Sequence, residues 1–139
     1  MNPAAITQCL TRHGDSLAAI DAGGARLTYA ELLARSDAFL ARVGQGRPRL
    51  ILLEARNDVE TLIAYVGALR GGHPVLLADA GNAAAVSRIA AEFRPGHIFR
   101  RGAAGYRLTE RLSGASSDFH PELAVLLSTS GSTGSPKCV

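Results

Sequence analysis

The chain of 139 residues has no tryptophan, and aromatic side chains make up only 5% of it. Nucleic-acid-binding surfaces typically combine stacking rings with clustered positive charge, so this scarcity argues against such a surface. The 15 basic residues only slightly outnumber the 12 acidic ones and are spread along the chain. No apolar run approaches the roughly 20 residues that a spanning helix requires, so no membrane span is predicted.

Cysteine is also scarce, and Cys9 and Cys138 stand near opposite ends with neither metal-ligand nor disulfide spacing. The first residues show no charged stretch followed by an apolar stretch, as a secretory signal would. We therefore expect a soluble, cytoplasmic protein with reduced thiols. The four histidines have no ligand spacing, and no metal-binding residue is predicted. His73 and His120 each precede a proline and are interpreted as turn residues.

What the sequence does contain is an alternation of short apolar runs with segments of helical periodicity. Hydrophobic residues make up 47% of the chain, which is enough for a core. The apolar runs predict strands covered on both faces. These strands lie at 50–53, 75–77 and 123–127, and a further short strand is predicted at 97–99. Because helical segments separate them, we predict an α/β fold with a doubly wound, mainly parallel sheet and flanking helices.

Local signals predict where these elements begin and end. Thr28 and Glu31 form a capping-box pattern, which predicts a helix from there to about Val43. A second box-like pattern at 57–60 and Asn82 predict the starts of two further helices. The glycine pair at 23–24 predicts a hairpin between 17–21 and 26–28, and a small hairpin is predicted at 102–108.

The last predicted strand runs directly into residues 128–137, which are rich in hydroxyl side chains and glycine. The segment also holds Lys137, the only lysine of the chain. Hydroxyls and backbone amides in a glycine-permitted turn can wrap an anion, and a lysine adds a point charge. Ligands of open parallel sheets bind beyond the carboxyl ends of the strands. A phosphate-binding loop and a flexible linker both remain open interpretations, whereas a Walker A loop does not fit.

Residues 129–137, Thr-Ser-Gly-Ser-Thr-Gly-Ser-Pro-Lys, resemble the T-S-G-[ST]-T-G-x-P-K signature of the adenylate-forming (AMP-binding) enzymes. That superfamily includes the acyl- and aryl-CoA synthetases, the adenylation domains of peptide synthetases, and luciferase. Two shorter stretches, 27–32 and 68–79, are similar to the family's first two core motifs and occur in the same order. The resemblance therefore extends over nearly the whole chain.

The resemblance implies that residues 1–139 are the N-terminal part of an AMP-binding adenylation domain, truncated just after its phosphate loop. It implies ATP and Mg²⁺ as cofactors and a carboxylic acid that is activated as an acyl-adenylate. It further implies a thiol acceptor, either coenzyme A or carrier phosphopantetheine. The cofactor-binding residues it implies are Thr129, Ser130, Gly131, Ser132, Thr133, Gly134 and Lys137. The family's later motifs are missing, so we expect no catalytic residue within the chain and no activity without the remainder of the polypeptide.

The type of enzyme stays open at this point. Only 26 residues precede the first motif, which favours a free-standing acyl/aryl-CoA synthetase-like ligase over an adenylation domain of a peptide synthetase. An alternative from another class is a small non-catalytic α/β binding or interaction module with a flexible Ser/Gly tail. Glu54 and Asp79, at the ends of predicted strands, could contact ligand or magnesium, although such acids more often cap a following turn.

Overall fold

The computed structural model of the protein describes residues 3–111, 118–129 and 137–138. Four helices lie in these ranges: α1 (Pro3–Thr11), α2 (Tyr29–Val43), α3 (Val59–Arg70) and α4 (Ala83–Phe93). The strands are β1 (Leu17–Ile20), β2 (Arg26–Thr28), β3 (Ile51–Ala55), β4 (Val75–Asp79), β5 (His97–Gly102), β6 (Gly105–Glu110), β7 (Val125–Thr129) and β8 (Lys137–Cys138). None of these helices is long and apolar enough to cross a membrane.

The main sheet has six strands in the order β6-β5-β3-β4-β7-β8. Its four central strands are parallel, whereas β6 and β8 run antiparallel at the two edges. The predicted α/β fold with a mainly parallel sheet is therefore confirmed. Strands β1 and β2 form a separate antiparallel pair, which confirms the predicted hairpin at the glycine pair.

Side chains of the central strands alternate between the two faces of the sheet, as the pleat of a strand requires. On β3, Ile51 and Leu53 join the cluster that α2 and α3 cover, whereas Leu52 joins the cluster under α4. All three side chains are fully buried. Helices on both faces explain why this strand reads as an uninterrupted apolar run, and they confirm the doubly wound arrangement.

The predicted helix starts are confirmed by their hydrogen bonds. Thr28 Oγ1 accepts from the Glu31 amide at 3.2 Å, and Glu31 Oε2 accepts from the Thr28 amide at 2.9 Å. These two bonds make a complete capping box at the start of α2. Helix α3 begins within the box-like pattern at 57–60, but its cap is one residue later than a 57–60 box requires: Asp58 Oδ1 accepts from the Thr61 amide. In α4 the cap is Asn82, as predicted.

Helices α2 and α3 pack closely because a glycine lies at their contact. A Cβ on Gly67 would stand 2.6 Å from the backbone oxygen of Ser36, closer than real Cβ atoms come. The Ser36 hydroxyl is fully buried and donates to the Ile63 backbone oxygen at 3.1 Å. The glycine in α3 and the small serine in α2 therefore set the distance between these helices.

Three features differ from the sequence prediction. Helix α1 was not predicted, since its sequence has no cap signal. The hairpin expected at 102–108 is larger, because β5 itself forms its first arm and pairs with β6 along its whole length. His73 is not an exposed turn residue: it is 2% exposed, and its Nδ1 accepts from the Arg49 amide at 3.1 Å.

Candidate functional site

The parallel strands β3, β4 and β7 end at the same edge of the sheet. The register pairs Leu77 of β4 with Leu127 of β7, so Asp79 and Thr129 end their strands two residues further along. Open parallel sheets bind ligands at this carboxyl edge. The segment that the sequence predicts to bind phosphate therefore begins at the edge where a ligand is expected.

The β7–β8 ladder brings the two ends of that segment together. Ser128 pairs with Cys138, and Thr129 pairs with Lys137, in antiparallel register. The first and last predicted phosphate-binding residues are thus neighbours across two strands. The other predicted residues, Ser130, Gly131, Ser132, Thr133 and Gly134, lie outside the described residues.

The two acidic side chains noted at the strand ends have partners within the protein. Glu54 Oε1 lies 2.8 Å from Arg100 Nη2 in an ion pair, and the Glu54 side chain is only 17% exposed. Asp79 Oδ1 accepts from the Gly81 amide at 2.8 Å, which makes a turn after β4. Asp79 therefore has the turn-capping role that such acids commonly take. Over residues 3–111, 118–129 and 137–138, no three potential metal ligands are grouped together.

A cavity of about 330 Å³ adjoins the same edge, between the β1–β2 pair and the start of α3. Its lining is mostly apolar, with a smaller contribution from polar side chains. The lining residues include Ile20, Ala55, Arg56, Asp58, Tyr65 and Leu77. Leu127, next to Leu77 in register and 50% exposed, continues the apolar surface toward β8. The sequence did not predict this cavity, because its residues come from three separate segments of the chain.

The Asp58 side chain is held in place beside this cavity by two hydrogen bonds. Its carboxylate accepts from the Thr61 amide and from the hydroxyl of Tyr106 on β6. The Thr61 hydroxyl in turn accepts from the Arg56 amide at 3.2 Å. Although burial raises the pKa of Asp58, the hydrogen bonds from Tyr106 and Thr61 outweigh burial and leave that pKa below its ordinary value.

The two buried histidines lie away from this edge. His73 and His97 are both 2% exposed at the opposite, amino edge of the sheet, and burial lowers the pKa of each imidazole. His120 is exposed and its Nδ1 accepts from the Glu122 amide at 3.3 Å, which confirms its role in a turn.

Solved structures of several proteins superpose on the whole chain. VinN in complex with L-aspartate is 26% identical, with a TM-score of 0.76, and the match covers 100% of this chain and 43% of that one. The NpsA N-terminal subdomain of Klebsiella oxytoca, in complex with 3-hydroxybenzoyl-AMSN, is 20% identical with a TM-score of 0.70 and coverages of 99% and 39%. A luciferase-like enzyme from the nonluminescent mealworm Zophobas morio is 16% identical with a TM-score of 0.72 and coverages of 99% and 41%.

All three proteins are members of the adenylate-forming superfamily, so the resemblance predicted from the sequence is confirmed. The chain has the α/β fold of the N-terminal subdomain of adenylate-forming enzymes. It spans about two fifths of the length of these solved proteins. No protein-family model matches the chain, and no curated protein matches it in sequence.

Proposed function

We propose that this chain is the N-terminal part of an ATP-dependent, AMP-forming acid–thiol ligase. The carboxylate of the substrate would attack the α-phosphate of ATP, giving an acyl-adenylate and pyrophosphate. A thiol, of coenzyme A or of a carrier phosphopantetheine, would then attack the acyl carbon, forming a thioester and releasing AMP. The observation that carries the proposal is the position of the nine-residue signature, which begins at the end of β7 and is closed by the ladder with β8.

The chemistry of the segment fits the phosphates of ATP. Thr129, Ser130, Ser132 and Thr133 would donate hydroxyl hydrogen bonds to the β- and γ-phosphates, and Lys137 would add a fixed positive charge. Gly131 and Gly134 would allow the backbone to approach the phosphates closely. Such groups stabilise the negative charge that builds up on departing pyrophosphate. Magnesium would enter bound to the oxygens of the triphosphate.

The ligands of the solved relatives support a carboxylic acid as substrate. NpsA was solved with 3-hydroxybenzoyl-AMSN, an acyl-adenylate analogue, and VinN with an amino acid. We propose a free-standing, cytoplasmic ligase of the acyl/aryl-CoA synthetase type. The adenylation domain of a peptide synthetase is the second candidate, because the N-terminal adenylation subdomain of NpsA matches 99% of the chain.

We further propose that the 139 residues do not catalyse adenylation by themselves. The chain spans only about two fifths of its solved relatives, so much of an adenylate-forming catalytic unit has no counterpart in it. The test is ATP–pyrophosphate exchange, screened with a set of carboxylic acids. The 139-residue chain is compared with the product of the natural gene as isolated from its own cells.

Exchange by the natural product alone, with at least one acid, is the expected result. Exchange by the isolated 139 residues would overturn the proposal that they are inactive. A natural product with a mass of 14.5 kDa and no exchange would overturn the ligase proposal. The chain would then be better explained as a non-catalytic α/β binding module.

A further inference from the structure

A groove lies between α2 and the β5–β6 hairpin, on the face of the sheet that α2 and α3 cover. We propose that this groove binds a small aromatic carboxylate, and we call it the aryl-acid groove. Its volume is about 500 Å³. The lining residues are Arg35, Ala38, Phe39, Arg42, Glu60, Ile63, Phe99, Gly105 and Tyr106. The proposal does not depend on the ligase function, because β3 and β4 lie between the strands that line the groove, β5 and β6, and the strands β7 and β8.

The floor of the groove is aromatic and rigid. Phe39 and Phe99 are 4% and 3% exposed and meet edge to face, with ring centroids 5.4 Å apart. Phe99 in turn stacks on Tyr106, with centroids 4.9 Å apart and an angle of 11° between the rings. The Tyr106 hydroxyl is fixed by its bond to Asp58. Phe39 and Phe99 are themselves covered, so the aromatic surface that this array offers to a further flat ring is the partly exposed ring of Tyr106.

The rim of the groove carries one positive charge in excess. Arg35 and Arg42 are two turns apart on the same side of α2, and both line the groove. Arg35 forms an ion pair with Glu60. Among the described residues, no carboxylate lies within ion-pair distance of Arg42. The Arg42 guanidinium is therefore available to a carboxylate, for which its forked donors are well suited.

Together these features select one class of ligand. An aromatic ring would displace water from the apolar floor, and an attached carboxylate would reach the guanidinium at the rim. A neutral ring would lack the ion pair, and a cation would be repelled by Arg42. The volume of the groove falls within the range of small-molecule sites.

The test uses 2-naphthoate as the probe, titrated with the 139-residue chain and followed by its own fluorescence anisotropy. The chain has no tryptophan, so protein fluorescence does not obscure the naphthalene signal. We expect saturable binding that weakens with added salt, and weaker binding of the neutral analogue 2-naphthamide. Arg42→Gln should raise the Kd of 2-naphthoate by about tenfold, the size expected for loss of a charged hydrogen bond.

Two control variants separate this groove from other surfaces. Arg56→Gln removes an exposed arginine from the cavity beside β3 and should leave the Kd unchanged. Ala38→Phe places a ring in the groove and should abolish binding. Ala91→Phe makes the same change at an exposed site on α4, across the sheet, and should have no effect. Absence of binding, an Arg42→Gln Kd equal to that of the parent, or weakening by Arg56→Gln would each overturn the proposal.

Discussion

The hydroxyl of Tyr106 donates a hydrogen bond to the carboxylate of Asp58, a residue 48 positions earlier in the chain. Asp58 caps α3, and Tyr106 belongs to the edge strand β6, so this bond fixes the hairpin to the start of the helix. The same contact joins two cavities, because Asp58 lines the one beside β3 and Tyr106 lines the aryl-acid groove. Burial and the bond to Asp58 both raise the pKa of the Tyr106 hydroxyl.

Tyr106→Phe should lower the free energy of unfolding by about 1–2 kcal/mol, since a hydrogen bond to a charged acceptor is lost. Urea unfolding at pH 7 measures this effect. Tyr65→Phe is the matched control, because the structure shows no hydrogen bond from the Tyr65 hydroxyl to any described residue. In the Asp58→Asn background the Tyr106→Phe effect should shrink, and equal effects in both backgrounds would show that the two residues are not coupled.

Stability should fall as the pH drops below about 6.5. Burial lowers the pKa of His73 and of His97 from the ordinary histidine value of 6.5. The unfolded chain therefore takes up protons that the folded chain does not, so the stabilisation is complete above that pH and is lost below it. Arg49 opposes protonation of both rings, whereas Glu110 favours protonation of His97.

Urea unfolding at pH 7.0, 6.0 and 5.0 checks this pH dependence. His97→Gln should make the decline between pH 6.5 and 5 shallower, whatever it does to stability at pH 7. His120→Gln removes an exposed histidine and should leave the decline as it is. A parental stability that is constant over this range would contradict the prediction.

Gly67→Ala should destabilise the protein by roughly 1–3 kcal/mol, the usual cost of overpacking. Helix propensity alone predicts that Gly67→Ala stabilises the protein, because alanine is more favourable than glycine in a helix interior by about 1 kcal/mol. The added methyl group would meet the Ser36 backbone oxygen and the Phe39 ring and would push α2 away from α3. Thermal and urea unfolding measure the change, and a variant more stable than the parent would show that these helices can separate without cost.

If the proposed function is right, Lys137→Ala should slow adenylation by the natural-length protein by about 10²–10³-fold, as the loss of one charge-stabilising group commonly does. Pyrophosphate exchange with a saturating acid measures the rate. Lys137→Arg keeps the positive charge but replaces a compact ammonium with a planar guanidinium, so this variant should retain part of the activity. Under the alternative of a flexible tail, replacement of Lys137 by alanine would leave every measured property unchanged.

The sequence predicted best those features that local interactions decide. The Thr28–Glu31 capping box and the Asn82 cap depend on residues three positions apart, and both were found as expected. The buried strand around Leu52 was predicted because a strand covered by helices on both faces is apolar at every position, which gives an uninterrupted apolar run in the sequence. The signature at 129–137 predicted the fold family, but five of its seven candidate residues lie outside the described ranges.

Features that depend on distant residues were not predicted. The sequence His73-Pro74 is typical of a turn, yet His73 is buried because the chain around Gly44 and Arg49 packs against it. The contact between Tyr106 and Asp58 requires the β5–β6 hairpin to lie beside α3, and no spacing in the sequence encodes that. The cavity beside β3 and the aryl-acid groove are assembled in the same way from separate elements.

The β7–β8 ladder has a thermodynamic consequence for any ligand bound between Thr129 and Lys137. Joining the ends of a chain segment lowers its conformational entropy. In this protein the β7–β8 pairing joins the ends on folding, so this entropy is lost before a ligand binds. A ligand bound there would meet a segment whose two ends are already anchored. Such preorganisation raises affinity without adding a contact, so cutting the ladder should weaken binding even if every phosphate-binding side chain is kept.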